Sequence, residues 1–477
     1  MADPFILLLV GVIIVVGGII GFKLHPFLAL IFAAFAVASL TPSGNIEQFA
    51  LDKGFSESEA FSFSQKNVGE RIATEFGNTC TKIGILIAMA AIIGKCLLES
   101  GAAERIIRSI LQLTGIGKAP AAYLVGSFFI GIPVFFDTVI FLMMPLVKAM
   151  ALRVGKNYLL LVMCVMAGAA MANSLIPPAP GPLFLIGEMN IPIGLMMITG
   201  FIVGLFTITA GYFFAIWVND KMPIELRESI DTKLEDIKSI AEKDLSKLPS
   251  LGISVLPILL PLLFICTDTI VNVVKPDDIT ELSPLAASTL RIIKFLGNKN
   301  TAIVIGGISA LLILAKQKMG DLSNNVQNAL MSGGGIILIT AAGGAFGGML
   351  QQTGISSKIA LLTQDYQMAL IPLAFLIAAI VRTAQGSATV ALITASGILS
   401  GLAMNANLGY HPVYLGLAIG CGSKLVPWMN DSGFWIICKL SNLTEKEALK
   451  SISPLLVVMG LTGLIVVLIG AKLFPLI

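Results

Sequence analysis

Asn173-Ser174-Leu175-Ile176-Pro177-Pro178-Ala179-Pro180-Gly181-Pro182 interrupts an apolar run that would otherwise cross a bilayer as one helix. Each of its four prolines deletes a backbone donor, so the stretch is not continuous helix. A freed N–H or C=O in hydrocarbon costs several kcal/mol unless it lines a cavity or finds a partner. The break therefore needs a reason. Further along, Gly422-Ser423-Lys424-Leu425-Val426-Pro427-Trp428-Met429-Asn430-Asp431-Ser432-Gly433 is broken in a similar way and is more polar.

The two segments correspond. Leu175-Ile176-Pro177 with Phe184 falls on Leu425-Val426-Pro427 with Phe434, Thr138-Val139 falls on Thr389-Val390, and Gly94 and Gly101 fall on Gly347 and Gly354. All these matches share an offset near 250 residues, the mark of an internal repeat. The expected division is a first repeat over 1–218, an amphipathic, charged linker over 219–250 and a second repeat over 251–477.

Composition sets the medium. With 56% hydrophobic and only 12% charged residues, against about 25% charged in soluble domains, the chain is an all-α polytopic membrane protein. A formal net charge of +3 argues against nucleic-acid partners. Six cysteines without a CxxC pair and only His25 and His411 give no metal or haem centre, and no cofactor is expected. The segment 4–22 lacks a basic n-region and a small-residue cleavage site, so it reads as a span and not as a signal peptide.

Apolar segments at 4–22, 26–40, 83–98, 158–172, 193–218, 253–274, 302–315, 336–350, 413–425 and 455–474 predict about ten spans. Two regions, 119–152 and 368–402, are too long for one span and polar in the middle, so they read as re-entrant hairpins. The broken helices occupy 158–187 and 411–438. Five crossings per repeat is an odd number, which inverts the second repeat relative to the first. Loops 100–118, 148–157, 219–250, 316–335 and 439–450 then share one side and hold the larger share of Lys and Arg. The positive-inside rule makes that side cytoplasmic and puts both termini outside. Stretches 102–114 and 355–363 read as interfacial amphipathic helices, Lys95 and Glu99 as an i,i+4 pair, and Glu188 as a solvated loop residue.

Polar residues at membrane depth mark the expected site. Asp137 and Thr138 follow Phe135-Phe136 in the first hairpin. Arg382, Gly386, Ser387 and Thr389 lie in the second, where a helix N-terminus after a glycine-serine turn directs unpaired N–H groups at an anion and a guanidinium forks onto a carboxylate. Asn173 and Ser174, with Ser423, Asn430 and Asp431, come from the breaks. Asp137 and Asp431 are the candidates for a coupling cation, while Lys424 either mimics a bound cation or snorkels to the interface.

Gly386-Ser387-Ala388-Thr389-Val390-Ala391 with Ile393-Thr394-Ala395 and Gly397, the run Asn430-Asp431 with Gly433-Phe434-Trp435, and Pro177-Pro178 with Pro180-Gly181-Pro182 resemble the gluconate permease family nearly end to end. The resemblance implies a bacterial inner-membrane proton symporter for small hydroxy acids, within an ion-transporter superfamily of inverted repeats. It carries over Arg382, Gly386, Ser387, Thr389, Asn430 and Asp431. Asp137 stands where family members have Glu. Histidines near the breaks are replaced by Asn173, Ala179 and Trp428, and Lys424 takes a position usually apolar. Superfamily resemblance also implies an elevator-like motion on a homodimeric scaffold, to which the apolar span 193–218 is assigned.

The expected function is thus H⁺-coupled symport of a small organic anion such as gluconate or a related sugar acid. The alternative is a Na⁺-coupled transporter or an exchanger of another small carboxylate or amino acid. A channel would need a repeated ring motif. A hydrolase would need a Ser/His or HExxH constellation, and ATP-driven transport a P-loop, and the sequence contains none of these.

Overall fold

A computed structural model describes residues 3–226, 248–274, 284–317, 321–355, 367–405, 408–428 and 431–476. These residues form helices and connecting loops. Seven helices are long and apolar enough to cross a membrane, or up to nine if each of two sharply bent pairs counts as one span. Against the ten spans read from hydropathy, the shorter apolar helices, such as Val413–Gly422, fall below that length.

The first half contains α1 (Pro4–Ile20), α2 (Pro26–Leu40), α3 (Ser43–Asp52), α4 (Glu57–Ser64), α5 (Val68–Glu99), α6 (Ala102–Thr114), α7 (Ala119–Gly131), α8 (Phe136–Val154), α9 (Tyr158–Leu175), α10 (Pro180–Glu188) and α11 (Ile193–Lys221). The second half contains α12 (Leu251–Val274), α13 (Pro284–Gly297), α14 (Lys299–Gln317), α15 (Leu322–Gln351), α16 (Leu370–Gln385), α17 (Ala388–Asn405), α18 (Val413–Gly422), α19 (Ser432–Ser441) and α20 (Glu445–Leu473). Local chemistry sets many of the ends. Asp3 and His25 accept from the N–H of Phe5 and Phe27 ahead of Pro4 and Pro26 at the first helical position. Thr444 and Glu447 form a capping box that starts α20.

Two predicted spans are parts of much longer helices. α5 begins at Val68 and not near 83, and α15 begins at Leu322 and not near 336. Hydropathy marks only the apolar portion, whereas the polar leading turns continue the same backbone. Three helices, α3, α4 and α13, lie outside the predicted spans. α6 occupies the first amphipathic stretch as expected. Of its counterpart at 355–363 only Ile355 is described, and of the linker only 219–226 and 248–250.

α5 and α15 pack against each other at the centre, with α2 on α15 and α14 on α5. Two further pairings between the halves build the site: α10 lies on α17, and α19 lies on α8. Within each half, the first hairpin helix packs on the broken helix through one glycine. A Cβ on Gly168 of α9 would strike the carbonyl of Leu124 in α7, and a Cβ on Gly422 of α18 would strike the carbonyl of Phe375 in α16. α9 is buried along its whole length, so it is wrapped in protein and not in lipid. That satisfies the requirement that irregular backbone at membrane depth be shielded from hydrocarbon.

α11 packs against helices of both halves. Gly200 of α11 lies against the Leu175 carbonyl at the end of α9, and Gly211 lies against Met459 of α20. Glu188 differs from the solvated loop residue expected: it ends α10 buried, 3.7 Å from Lys82 of α5. The Lys95–Glu99 pair is present at 2.7 Å.

Candidate functional site

α7 ends at Gly131, and the chain turns through Pro133 before α8 begins at Phe136. Asp137 thus sits in the first turn of α8, where unpaired N–H groups and the helix dipole favour a carboxylate. In the second hairpin, Gly386 takes a φ of 86° and its N–H donates to the Arg382 carbonyl at 2.9 Å. Glycine suits this left-handed C-cap because it has no Cβ. Ser387 then starts α17, its hydroxyl accepting from the Val390 N–H at 3.4 Å. Arg382 in the last turn of α16 and Thr389 in the first turn of α17 flank this tight connection.

The first break runs from Ile176 to Ala179, and α10 restarts with Pro180. The second break is longer. Val426 within it has a φ of 44°, a strained conformation for a β-branched residue. α19 restarts on Asp431, whose Oδ1 accepts the Gly433 N–H at 2.8 Å while its Oδ2 accepts a hydrogen bond from Arg382 Nη2. One carboxylate thus caps a half-helix and holds the guanidinium of the opposing hairpin. Trp428 Nε1 donates to the Thr383 carbonyl at 2.8 Å, and the Ser453 hydroxyl to the Pro427 carbonyl.

These elements enclose a cavity of about 140 Å³. Asp137, Asn173, Arg382 and Lys424 line it, together with Ser387, Thr389 and Asp431. Arg382, Lys424 and Asp431 are 4%, 5% and 8% exposed, whereas Asp137 is exposed. The Arg382–Asp431 pair and Lys424 are thus the buried members of the wall, and Asp137 is the exposed one. Nε and Nη1 of Arg382 are buried with no hydrogen-bond partner among the described residues. Buried unpaired donors of this kind are costly.

Other candidates fall elsewhere. Thr138 lines a separate cavity of about 240 Å³ with Lys95 and Asn328. Ser174 and Ser423 are fully buried, with their hydroxyl oxygens 3.3 Å apart, and join the two breaks without lining the cavity. Gly386 contributes backbone geometry only. Asn430 lies outside the described residues. Phe136 was not singled out from sequence, yet it lines the cavity and its ring centroid lies 5.4 Å from Lys424 Nζ. Its position next to Asp137 in the quoted run was the available signal.

The GntP family permease model matches residues 4–473. A gluconate permease of Pseudomonas aeruginosa is 29% identical over 98% of this chain and 98% of its own length. The D-serine transporter DsdX of Escherichia coli is 28% identical over 93% of this chain and 92% of its own. Among solved structures, the Alcanivorax borkumensis YdaH transporter superposes with a TM-score of 0.65 at 11% identity, covering 95% of this chain and all of that one. At that identity the likeness speaks for the fold alone. Taken with the wrapped broken helices and the charged cavity between two hairpin tips, the match across almost the entire chain means that this protein belongs to the GntP permease family.

Proposed function

We propose that this membrane permease is a cation-coupled secondary active transporter of a small organic anion, gluconate or a related sugar acid or hydroxy acid. The observation that carries the reading is the cavity built from both hairpins and both breaks and lined by Asp137, Arg382, Lys424 and Asp431. The family membership and the names of the relatives fit it. Ser387 and Thr389 supply hydroxyls for a polyol chain, and Asp137 and Asp431 are the carboxylates for a coupling proton, or for Na⁺ as the alternative ion. The residues act as two inverted repeats, 1–218 and 251–477, with both termini outside, and the assembly is a homodimer in the inner membrane.

The motion is an elevator-type displacement of the hairpins and broken helices. The remaining spans, α11 among them, are the scaffold against which that unit moves. The Gln351 amide donates to the Ser400 hydroxyl at 2.8 Å, joining α15 to α17, so this contact spans the sliding surface. Counterflow of radiolabelled gluconate into proteoliposomes tests transport, since a channel shows none. Imposed pH and Na⁺ gradients test coupling, and uptake indifferent to both would replace symport with exchange. Crosslinking a Gln351→Cys, Ser400→Cys variant should block uptake. Full uptake in the crosslinked protein would sink the elevator reading.

A further inference from the structure

A further cavity, of about 580 Å³, lies at the other end of the first hairpin. It opens between α6 and the ends of α7 and α8 that point away from the hairpin tip, so α8 carries Asp137 in its first turn and Arg153, which lines this cavity, in its last. Ile107 and Leu111 of α6 and Leu146 and Met150 of α8 make the walls apolar. Tyr123 of α7 stands among them, and its hydroxyl is already committed to the Leu146 carbonyl at 2.8 Å. The charged side chains of the lining are Arg108 and Arg153, and Arg153 is exposed.

These features narrow the ligand. A free sugar acid or a phosphate ion would surrender its water to apolar walls that return few hydrogen bonds. An amphiphile is served at both ends, with methylenes on the walls and an anionic head at the guanidinium groups, whose forks match phosphate. The sign of the charge is clear. Residues 102–118 and 148–156 hold Arg105, Arg108, Lys118, Lys148, Arg153 and Lys156 against Glu104 alone, and Glu104 is paired with Arg108 at 2.6 Å. Leu113, Ile116 and Leu152, beside these cations in the chain, are exposed. Apolar side chains interleaved with basic ones on and around an amphipathic helix mark the interfacial level of a membrane protein.

We propose that this cavity holds an anionic phospholipid, with its phosphate at Arg108 and Arg153 and its acyl chains along Ile107, Leu146 and Met150. Basic pockets between helices at the membrane surface select such head groups. The lipid bridges α6 to the base of the first hairpin, at the opposite end of α8 from the substrate cavity. The two sites are separate, whatever anion the permease carries.

Full-length protein in detergent is titrated with phosphatidylglycerol and with phosphatidylcholine of the same acyl chains, and bound lipid is counted by native mass spectrometry. Phosphatidylglycerol should bind at least about tenfold more tightly, since one basic residue beside an anionic lipid is worth about fivefold. Arg153→Gln should cut that ratio about fivefold while sparing the Glu104 pair that Arg108→Gln would break. A Lys118→Gln, Lys156→Gln variant, changed in the same basic region but outside the lining, should leave the ratio nearly unchanged. Ala149→Phe, which fills the cavity and keeps every charge, should weaken binding of both lipids. Equal binding of the two lipids, or equal losses in the arginine and lysine variants, overturns the inference in favour of diffuse surface attraction. Undiminished binding in Ala149→Phe puts the lipid elsewhere and overturns it too. Glycerol 3-phosphate, which has the phosphate without the chains, should not displace the lipid; full displacement would make this a soluble-anion site and overturn the inference.

Discussion

Ser174 and Ser423, 249 residues apart in sequence, face each other with their hydroxyl oxygens 3.3 Å apart. Each stands where its broken helix comes undone, so the two interruptions meet inside the protein. Ser423 also donates to the Gly420 carbonyl at 2.7 Å, which leaves Ser174 as the donor between the two hydroxyls.

Gly420 makes this meeting possible. A Cβ there would lie 2.7 Å from the Ser174 carbonyl oxygen and 2.9 Å from a methyl group of Leu175. Backbone cannot yield as a side chain can, so Gly420→Ala should cost about 1–3 kcal/mol. The expected result is a lower melting temperature in detergent together with reduced substrate binding. An unchanged melting temperature would show that the breaks separate easily.

Arg382 and Asp431 form a buried pair. Removing one charge leaves the other unpaired, at a cost of about 3–5 kcal/mol. Arg382→Gln should abolish most substrate binding. Asp431→Asn keeps an oxygen to cap α19, so it isolates the charge from the cap. The double variant should be less destabilised than the two single variants summed, a coupling that a double-mutant cycle of thermal melts measures. Strict additivity would deny the pair any energetic role.

α15 and α17 touch through glycines. A Cβ on Gly347 would stand 2.8 Å from Gly397 Cα, whereas a Cβ on Gly397 would stand 3.2 Å from Gly347 Cα. Gly347→Ala should therefore lower both stability and uptake more than Gly397→Ala, by about 1–3 kcal/mol against a smaller loss. Equal effects, or the reverse order, would contradict this packing.

Two cationic side chains of α5 should respond very differently to replacement. Arg71 is 4% exposed and donates to the Gln352 side chain at 2.6 Å and to the Ala38 carbonyl at 3.1 Å. Arg71→Met strands both acceptors and should cost about 1–3 kcal/mol or more. Lys95 is part of a half-exposed i,i+4 pair, and Lys95→Ala should cost only about 0.3–0.5 kcal/mol. Parallel chemical or thermal unfolding of the two variants gives the comparison directly.

Much of the fold was legible because it follows from the solvent. Bilayer hydrocarbon admits little but apolar helix, so composition and run length expose the helices, and proline clusters expose the places where they stop. The polar residues at those stops were legible for the same reason: Asp137, Asn173, Arg382, Ser387, Thr389, Lys424 and Asp431 are rare residue types in an apolar setting, and all of them line one cavity. Helix starts were less legible. The polar turns of α5 and α15 carry no hydropathy signal, because outside the hydrocarbon the backbone continues without needing one.

Partnership between residues far apart in the chain was not legible. Glu188 reads as solvated from its neighbours in sequence, yet it is buried because Lys82, far back in α5, reaches both it and the Gly187 carbonyl. By itself the sequence determined the medium, the helices, the positions of the two breaks and the inventory of charges. Only the tertiary structure decided that Asp431 pairs with Arg382 while Asp137 stays open, that Ser174 and Ser423 tie the breaks and leave the cavity wall to others, and that α11 packs with the broken helices. The physical reason is range: hydropathy and backbone chemistry act between neighbours in the chain, whereas ion pairing and close packing act between neighbours in space.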